Sequence, residues 1–214
     1  MDTMKEKRYY IAYGSNLNVG QMRMRCPHAT ILGTANLKGW ELLFKGSKTG
    51  SYLTIEECED GTIPVVIWEV TALDEAALDR YEGFPHFYYK RDIKLQYKGI
   101  RTGKRRTVTA FAYIMHEERP IGIPTNFYMR TCLEGYTTFH FNKNILIDAS
   151  GGLVNVSFGE NPAADVICRM DKDTFDKLID GRSSFHKAFM TGEMTARGNL
   201  KTLRMLDELF TFTA

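Results

Sequence analysis

The chain has 214 residues, of which 43% are apolar and 25% charged, with a net charge of +2. Such a composition excludes a disordered chain, a collagen-like repeat or a coiled-coil rod, and its charge balance argues against nucleic acid as the main partner. The length fits one large domain or two small ones.

Ile63–Trp68 is a typical apolar run, far short of the ~20 residues a membrane span needs. The N-terminal MDTMKEKRYYIAYG is charged and has no long apolar stretch, so a secretory signal is not expected and a cytoplasmic location is. Cys26, Cys58, Cys132 and Cys168 form no CxxC pair. Neither a zinc knuckle nor a thioredoxin motif is offered, and four reduced, mostly buried thiols are expected.

Strands come first. RYYIAY (8–13), WELLF (40–44), YLTIEE (52–57), IPVVIWEV (63–70), YYKRDIKLQY (88–97) and RRTVTAFAYI (105–114) are rich in β-branched and aromatic residues. Asp60-Gly61 between two of them reads as a hairpin turn, and KGIRTGKRR (98–106) as a basic hairpin loop, either a solvated turn or an anion or nucleic-acid patch. Three helices interrupt the strands. Asn18 caps one that runs to about Cys26, where Pro27 stops it. Asp74–Tyr81 follows a capping Thr71 and ends at Gly83. The third follows Pro124-Thr125, with Tyr128, Cys132, Tyr136 and Phe139 on one stripe.

Near residue 143 the pattern restarts. KNILIDASGGLVNVSFG (143–159) reads as strand, Gly-Gly turn, strand. Ala164–Met170 is another strand, Asp171–Asp180 a helix ended by Gly181, and Leu200, Leu203, Leu206, Leu209 and Phe210 form the stripe of a last helix. Residues 1–144 carry a net charge of +4 and residues 145–214 one of −2. We therefore expect two units, 1–144 and 145–214. The second is small for an independent core and should pack on the first or on a second chain as a homodimer.

Two segments carry chemistry. Tyr13-Gly14-Ser15-Asn16-Leu17 lies between a strand and a helix, where a tight polar turn leaves backbone N–H groups free to cradle a carboxylate or oxyanion. An ordinary polar turn is the plainer alternative. Ser15 lacks the GxSxG setting of a nucleophile elbow, and no histidine lies in a recognisable setting for a base. His116-Glu117 begins a zinc-helix motif that Pro120 spoils, so no metal is expected. The second segment is Leu78-Asp79-Arg80-Tyr81-Glu82-Gly83-Phe84. Glu82 sits at a helix C-terminus beside Tyr81, Phe84 and Phe87, and both surroundings should raise its pKa. A general acid–base role and a solvated helix-end glutamate remain the alternatives from this segment alone.

Together, YIAYGSNL, the later Tyr81-Glu82-Gly83, Tyr89 seven residues beyond Glu82, and Pro124 with Tyr128 form an ordered series that resembles the γ-glutamylcyclotransferase family. Arg25-Cys26-Pro27 and Leu133-Glu134-Gly135-Tyr136 fit its bacterial branch. The likeness spans about residues 8–141. It implies an α+β fold built on a small mixed β-barrel with flanking helices. It also implies cleavage of a γ-glutamyl amide by its own α-amine, giving 5-oxoproline and a free amine without metal or cofactor. By position, Tyr10, Ile11, Ala12, Tyr13, Gly14, Ser15, Asn16 and Leu17 match the substrate-binding loop. Glu82 matches the catalytic acid–base, and Tyr89 and Tyr128 match residues of the pocket wall.

The tail resembles another family. ENPAADVICRMDKDTFDKLIDG and FHKAFMTGEMTARGNLKTLRMLDELF look like the later part of a sterol-carrier-protein type-two domain, here a small α+β module without the family's opening helix and first strand. That likeness implies lipid binding, but the missing elements weaken the case. Phe185, Phe189, Met190, Met194 and the Leu200–Phe210 stripe are expected to form core or interface. The rival functions are a non-catalytic protein that binds a γ-glutamyl or carboxylate ligand, and a lipid carrier acting through its tail.

Overall fold

A computed structural model describes residues 7–47, 50–148, 155–159 and 161–209. The first apolar segment forms β1 (Lys7–Ala12), and Ser15–Leu17 make a single 3₁₀ turn before α1 (Val19–Arg25). Asn18 caps α1 as expected, its side chain accepting from the N–H of Gln21 at 3.1 Å. Next come two long strands, β2 (Thr30–Ser47) and β3 (Gly50–Thr71), then α2 (Ala72–Glu82), β4 (Tyr88–Gly99) and β5 (Arg105–Met115). The five strands close into a barrel in the order β1-β3-β2-β4-β5. Every neighbouring pair is antiparallel except β1 and β5, which meet in parallel at Tyr10 and Phe111.

No hairpin forms at Asp60-Gly61. Both apolar runs of residues 50–71 pair with the same partner, β2, so YLTIEE and IPVVIWEV are two halves of one bent strand. The Asp-Gly pair marks the bend: the register slips between Lys38 and Trp40, where Gly39 takes a φ of +82°. A Cβ on Gly61 would stand 2.3 Å from the Trp40 carbonyl oxygen, so only glycine fits there. β2 likewise begins ten residues before WELLF, because Thr30–Lys38 gains its strand character from pairing with β3 rather than from its own residue types.

The helix ends are set by local chemistry. Thr71 and Asp74 form a reciprocal capping box at the start of α2, and Gly83 ends it with a φ of +65°. Thr125 caps α3 (Asn126–Thr138), which buries Met129, Cys132 and Tyr136 against the barrel. The core is apolar and closely filled: Ile11, Ile67, Trp68, Phe111 and Tyr136 are almost wholly buried. Each such side chain contributes about 1.5–3 kcal/mol.

The C-terminal module has two small sheets, β6 (Ile145–Asp148) with β7 (Asn155–Phe158) and β8 (Val166–Met170) with β9 (Met194–Gly198). Its helices are α4 (Lys172–Ile179), α5 (Phe185–Met190) and α6 (Lys201–Leu209). α5 and β9 had no clear periodicity in the sequence, and the expected Gly151-Gly152 turn lies outside the described residues. The module shares one apolar core with the barrel. Phe158 stacks on Tyr136 with ring centres 4.4 Å apart and lies 6.1 Å from Phe44 of β2. Arg130 on α3 donates to Asp180 at 2.5 Å beside α4.

The tail residues expected to form core or interface divide between buried and exposed. Leu200 and Met190 are exposed, whereas Leu203 is buried. Of the expected α6 stripe, Leu203 and Leu206 join the apolar cluster, and Phe210 lies outside the described residues. All four cysteines are free; Cys26 and Cys132 are buried, Cys58 and Cys168 half-buried.

Candidate active site

One end of the barrel holds a narrow cavity of about 20 Å3, lined by Tyr10, Tyr13, Gly14, Ser15, Asn16, Leu53, Glu82, Tyr88, Tyr113 and Tyr128. β1 delivers Tyr10 and the turn after it delivers residues 13–16. Glu82 comes from the last turn of α2, Tyr88 from the start of β4, Tyr113 from β5 and Tyr128 from α3. The sequence brought together Tyr10, Tyr13, Gly14, Ser15, Asn16, Glu82 and Tyr128, and all seven meet here.

Four expected residues do not line the cavity. Ile11, Ala12 and Leu17 are wholly buried in the barrel core. Tyr89 is also displaced: its phenol donates to Glu117 Oε1 at 2.6 Å, and its neighbour Tyr88 faces the cavity instead. Side chains alternate along a strand, and the barrel decides which of two adjacent tyrosines faces inward.

Glu82 is half-buried as a residue, but its carboxyl group is enclosed by the cavity wall. Burial pushes its pKa up to about 7, opposed by the Arg25 charge and by a hydrogen bond from Asn16. The apolar neighbours expected from the sequence, Tyr81 and Phe84, turn outward and are exposed. The ring of tyrosines and Leu53 encloses the carboxyl instead. Asn16 Nδ2 donates to Glu82 Oε1 at 2.8 Å and to the Tyr10 hydroxyl at 2.9 Å. Arg25 donates to Asn16 Oδ1 at 2.5 Å and to Gln21 Oε1 at 2.6 Å, with its guanidinium 3.5 Å above the Tyr81 ring.

The tyrosines are held as neutral phenols. Burial, with the nearby Glu82 charge, raises Tyr10, Tyr13, Tyr88, Tyr113 and Tyr128 far above the usual tyrosine value. Three give their protons to fixed acceptors: Tyr13 to the Tyr113 carbonyl, Tyr88 to the Leu53 carbonyl and Tyr113 to Asp79. Tyr10 accepts from Asn16, and Tyr128 accepts from the Leu53 N–H at 3.1 Å. Those two phenols keep a proton to donate. The N–H groups of Gly14, Ser15 and Asn16 meet no acceptor among the described residues. The cavity thus combines one proton-exchanging carboxyl with several neutral donors, a set suited to binding an anion and moving one proton.

Ser15 has no hydrogen-bonded base among the described residues. Its hydroxyl lies 3.4 Å from that of Tyr81, and no histidine contacts it among the described residues. His116, Glu117 and Glu118 bring their donor atoms within 4.8 Å of one another, but His116 meets the Pro85 carbonyl and Glu117 is held by Tyr89. Four residues of the site were missed from sequence: Leu53, Tyr88, Tyr113 and Arg25. Only Arg25 carried a signal, in its place beside Cys26-Pro27.

The five-stranded barrel thus gathers a buried carboxyl and a turn of free backbone amides in one cavity. Residues 10–130 match the family described as gamma-glutamyl cyclotransferase, AIG2-like, and the chain belongs to that family. Residues 136–211 match the SCP-2 sterol transfer family, so the two matches meet within α3. Among solved structures, one described as a gamma-glutamyl cyclotransferase is 25% identical with a TM-score of 0.54. The match covers 63% of this chain and 80% of that one. An uncharacterized protein from Homo sapiens is also 25% identical, with a TM-score of 0.53 over 63% of this chain and 81% of that one. YkqA from Bacillus subtilis shares the fold at 20% identity and a TM-score of 0.52, over 63% of this chain and 50% of that one. No curated protein matches significantly.

Proposed function

We infer that the barrel cleaves a γ-glutamyl amide by intramolecular attack of the substrate's α-amine, releasing 5-oxoproline and a free amine. The observation that carries this reading is the Glu82 carboxyl, enclosed opposite the Gly14–Asn16 amides with its pKa pushed up to about 7. An α-ammonium near 8 and an ordinary glutamate near 4.3 differ by roughly four units, a mismatch of about 5 kcal/mol for proton transfer. Burial of Glu82 closes most of that gap.

Two protons pass in turn from the attacking nitrogen to the leaving one. Glu82 takes a proton from the α-ammonium, and the freed amine attacks the γ-carbonyl to close a five-membered ring. The Gly14–Asn16 amides and the Tyr10 and Tyr128 hydroxyls are the donors available to the oxyanion or the substrate carboxylate. The C–N bond to the leaving amine then breaks as Glu82 returns its proton to that nitrogen, and Glu82 next carries the ring nitrogen's second proton to the released amine, leaving a neutral lactam and an ammonium. Ring closure within one molecule makes orientation a large share of the rate. The cavity holds little more than a water molecule, so substrate entry requires a wall such as the Tyr81–Arg25 edge or Tyr128 to move.

A panel of γ-glutamyl amino acids, peptides and amines assayed for 5-oxoproline tests the reading. Turnover of any member supports it. Tight binding without 5-oxoproline favours the non-catalytic ligand-binding alternative. For the C-terminal module, the SCP-2 family match favours lipid carriage as a second activity. Phe185, Ala188, Met194 and Leu203 already serve as core there, and lipid co-purifying with the full chain is the deciding measurement.

A further inference from the structure

The hairpin joining β4 and β5 concentrates charge in a way the site does not use. Lys94, Lys98, Arg101, Lys104, Arg105 and Arg106 are all exposed, and no acidic residue occurs between Asp92 and Glu117. These six positive charges stand against a net +2 for the whole chain, so the remaining residues sum to −4.

The six are also unpaired. Among the described residues none of them makes an ion pair, and Arg105 reaches only the neutral Gln96, at 3.5 Å. Basic residues elsewhere on the barrel behave differently. Lys90 and Arg91, at the other end of β4, pair with Glu75, Asp79 and Glu57, and Lys7 and Arg8 are also neutralised. Within a span far shorter than the chain, six like charges lie close enough to repel one another at physiological ionic strength. An opposing anionic surface relieves that repulsion.

The hairpin is held in place. The Gly99 N–H donates to the Lys104 carbonyl at 2.9 Å, and the Ile100 N–H donates to the Leu32 carbonyl of β2 at 3.0 Å. Ile100 is nonetheless 53% exposed in the middle of the cations. Sequence-tolerant nucleic-acid binders present exposed aromatic rings for bases to stack on, whereas Tyr97, the aromatic residue of this hairpin, is buried. An apolar side chain ringed by long basic ones suits a lipid headgroup layer instead. The isoleucine enters between headgroups while the cations stay at the phosphate level.

We propose that the β4–β5 hairpin docks the protein on an anionic phospholipid surface, with Ile100 inserted and the six basic side chains on lipid phosphates and carboxylates. The cavity lies at the opposite ends of both strands, roughly 30 Å away along β4, so docking leaves it open.

Co-sedimentation of the full chain with vesicles tests this, using pure phosphatidylcholine and an equal mixture of phosphatidylcholine and phosphatidylserine. Binding is expected only to the mixed vesicles, and it should weaken as salt rises. K98S, R101S, K104S and R105S should each lower affinity about fivefold. I100S should lower it with charge unchanged. The control K172S, an exposed lysine of the module, should bind as wild type, and thermal melting checks that each variant is folded. Equal binding to both vesicles, binding to neither, or wild-type affinity in the hairpin variants overturns the proposal. So does tighter binding to an RNA or DNA oligonucleotide that I100S leaves unchanged, which would assign the surface to nucleic acid.

Discussion

The Asn16 side-chain amide lies 2.8 Å from Glu82 Oε1, with its Nδ2 as the donor, while Asn16 Oδ1 accepts from Arg25 at 2.5 Å. The asparagine of the YGSNL turn therefore links a half-buried cation to the proposed acid–base group. It fixes one carboxylate oxygen and leaves the other free to exchange a proton. Arg25 acts through this link and through its charge, and both oppose the rise that burial imposes on Glu82.

That relationship predicts a pH signature. With Glu82 at about 7, the base form is lost as pH falls through neutrality, so kcat/KM should drop on the acid side of pH 7. Arg25→Met and Asn16→Ala each remove an influence that lowers the Glu82 pKa, so both should move this limb to higher pH. A hydrogen bond to a charged group contributes about 1.5–3 kcal/mol, so Asn16→Ala should also lower kcat by about 10–100-fold. An unchanged pH profile in both variants would show that neither residue tunes Glu82.

Glu82→Gln separates catalysis from stability. The amide keeps the shape but cannot shuttle a proton, and turnover should fall by about 10²–10⁴. Stability should move the other way. The native carboxyl holds its proton up to about 7, whereas the unfolded one releases it near 4.5, so wild-type stability declines as pH rises across that window. The variant lacks this decline. It should match wild type near pH 4 and exceed it by about 1–3 kcal/mol at pH 8, read by denaturant unfolding. A variant less stable than wild type at pH 8 would contradict the enclosed-carboxyl picture.

The turn should tolerate loss of a hydroxyl better than gain of bulk. Ser15→Ala keeps the backbone N–H and removes only a 3.4 Å contact with Tyr81, so activity should stay within about threefold. A Cβ on Gly14 would stand 3.2 Å from the Tyr128 hydroxyl and 3.3 Å from Leu53 Cβ. The branched side chain of Gly14→Val would then fill the cavity and displace Tyr128. A misplacement of this size costs about 10²-fold or more in rate. Loss of activity in Ser15→Ala with a covalent adduct on Ser15 would restore the nucleophile reading.

The contrast between what the sequence revealed and what it hid has a physical basis. Asn18, the Thr71–Asp74 capping box and Gly83 were legible because capping depends on neighbours three or four residues away. Glu82 and the YGSNL turn were legible because their residue types are unusual for those local positions. Tyr88 was missed in favour of Tyr89 because the inward phase of β4 is set by pairing with β5, at Tyr88 with Met115 and Tyr89 with Ile114. Tyr113, Leu53 and Arg25 reach the site through closure of the barrel and the packing of α1 beside α2, contacts that no local pattern encodes. The Asp60-Gly61 hairpin failed for a related reason: a turn dipeptide states a local preference, and continuous pairing of β3 with β2 overrode it.

The barrel and the module meet along an apolar seam. Phe158 is almost wholly buried, stacked on Tyr136 of α3 and close to Phe44 of β2, so the module completes the barrel's apolar core at this point. Replacing a buried phenylalanine by alanine typically costs about 3–5 kcal/mol, and Phe158→Ala, at an edge of the core, should cost about 2–4. In a chain of this length that lowers the melting temperature by about 4–16 °C. The ion pair of Arg130 with Asp180 crosses the same seam, but both side chains retain solvent access. Arg130→Ala should therefore cost no more than about 1 kcal/mol. Deleting residues 145–214 uncovers Tyr136 and Phe44 together, so aggregation or a changed assembly state is expected. Glu82 and the YGSNL turn lie outside the seam, so any soluble fraction of the truncated chain should still release 5-oxoproline if the full chain does. A truncated chain that stays monodisperse and melts with the intact protein would show that the barrel does not depend on the module for its core.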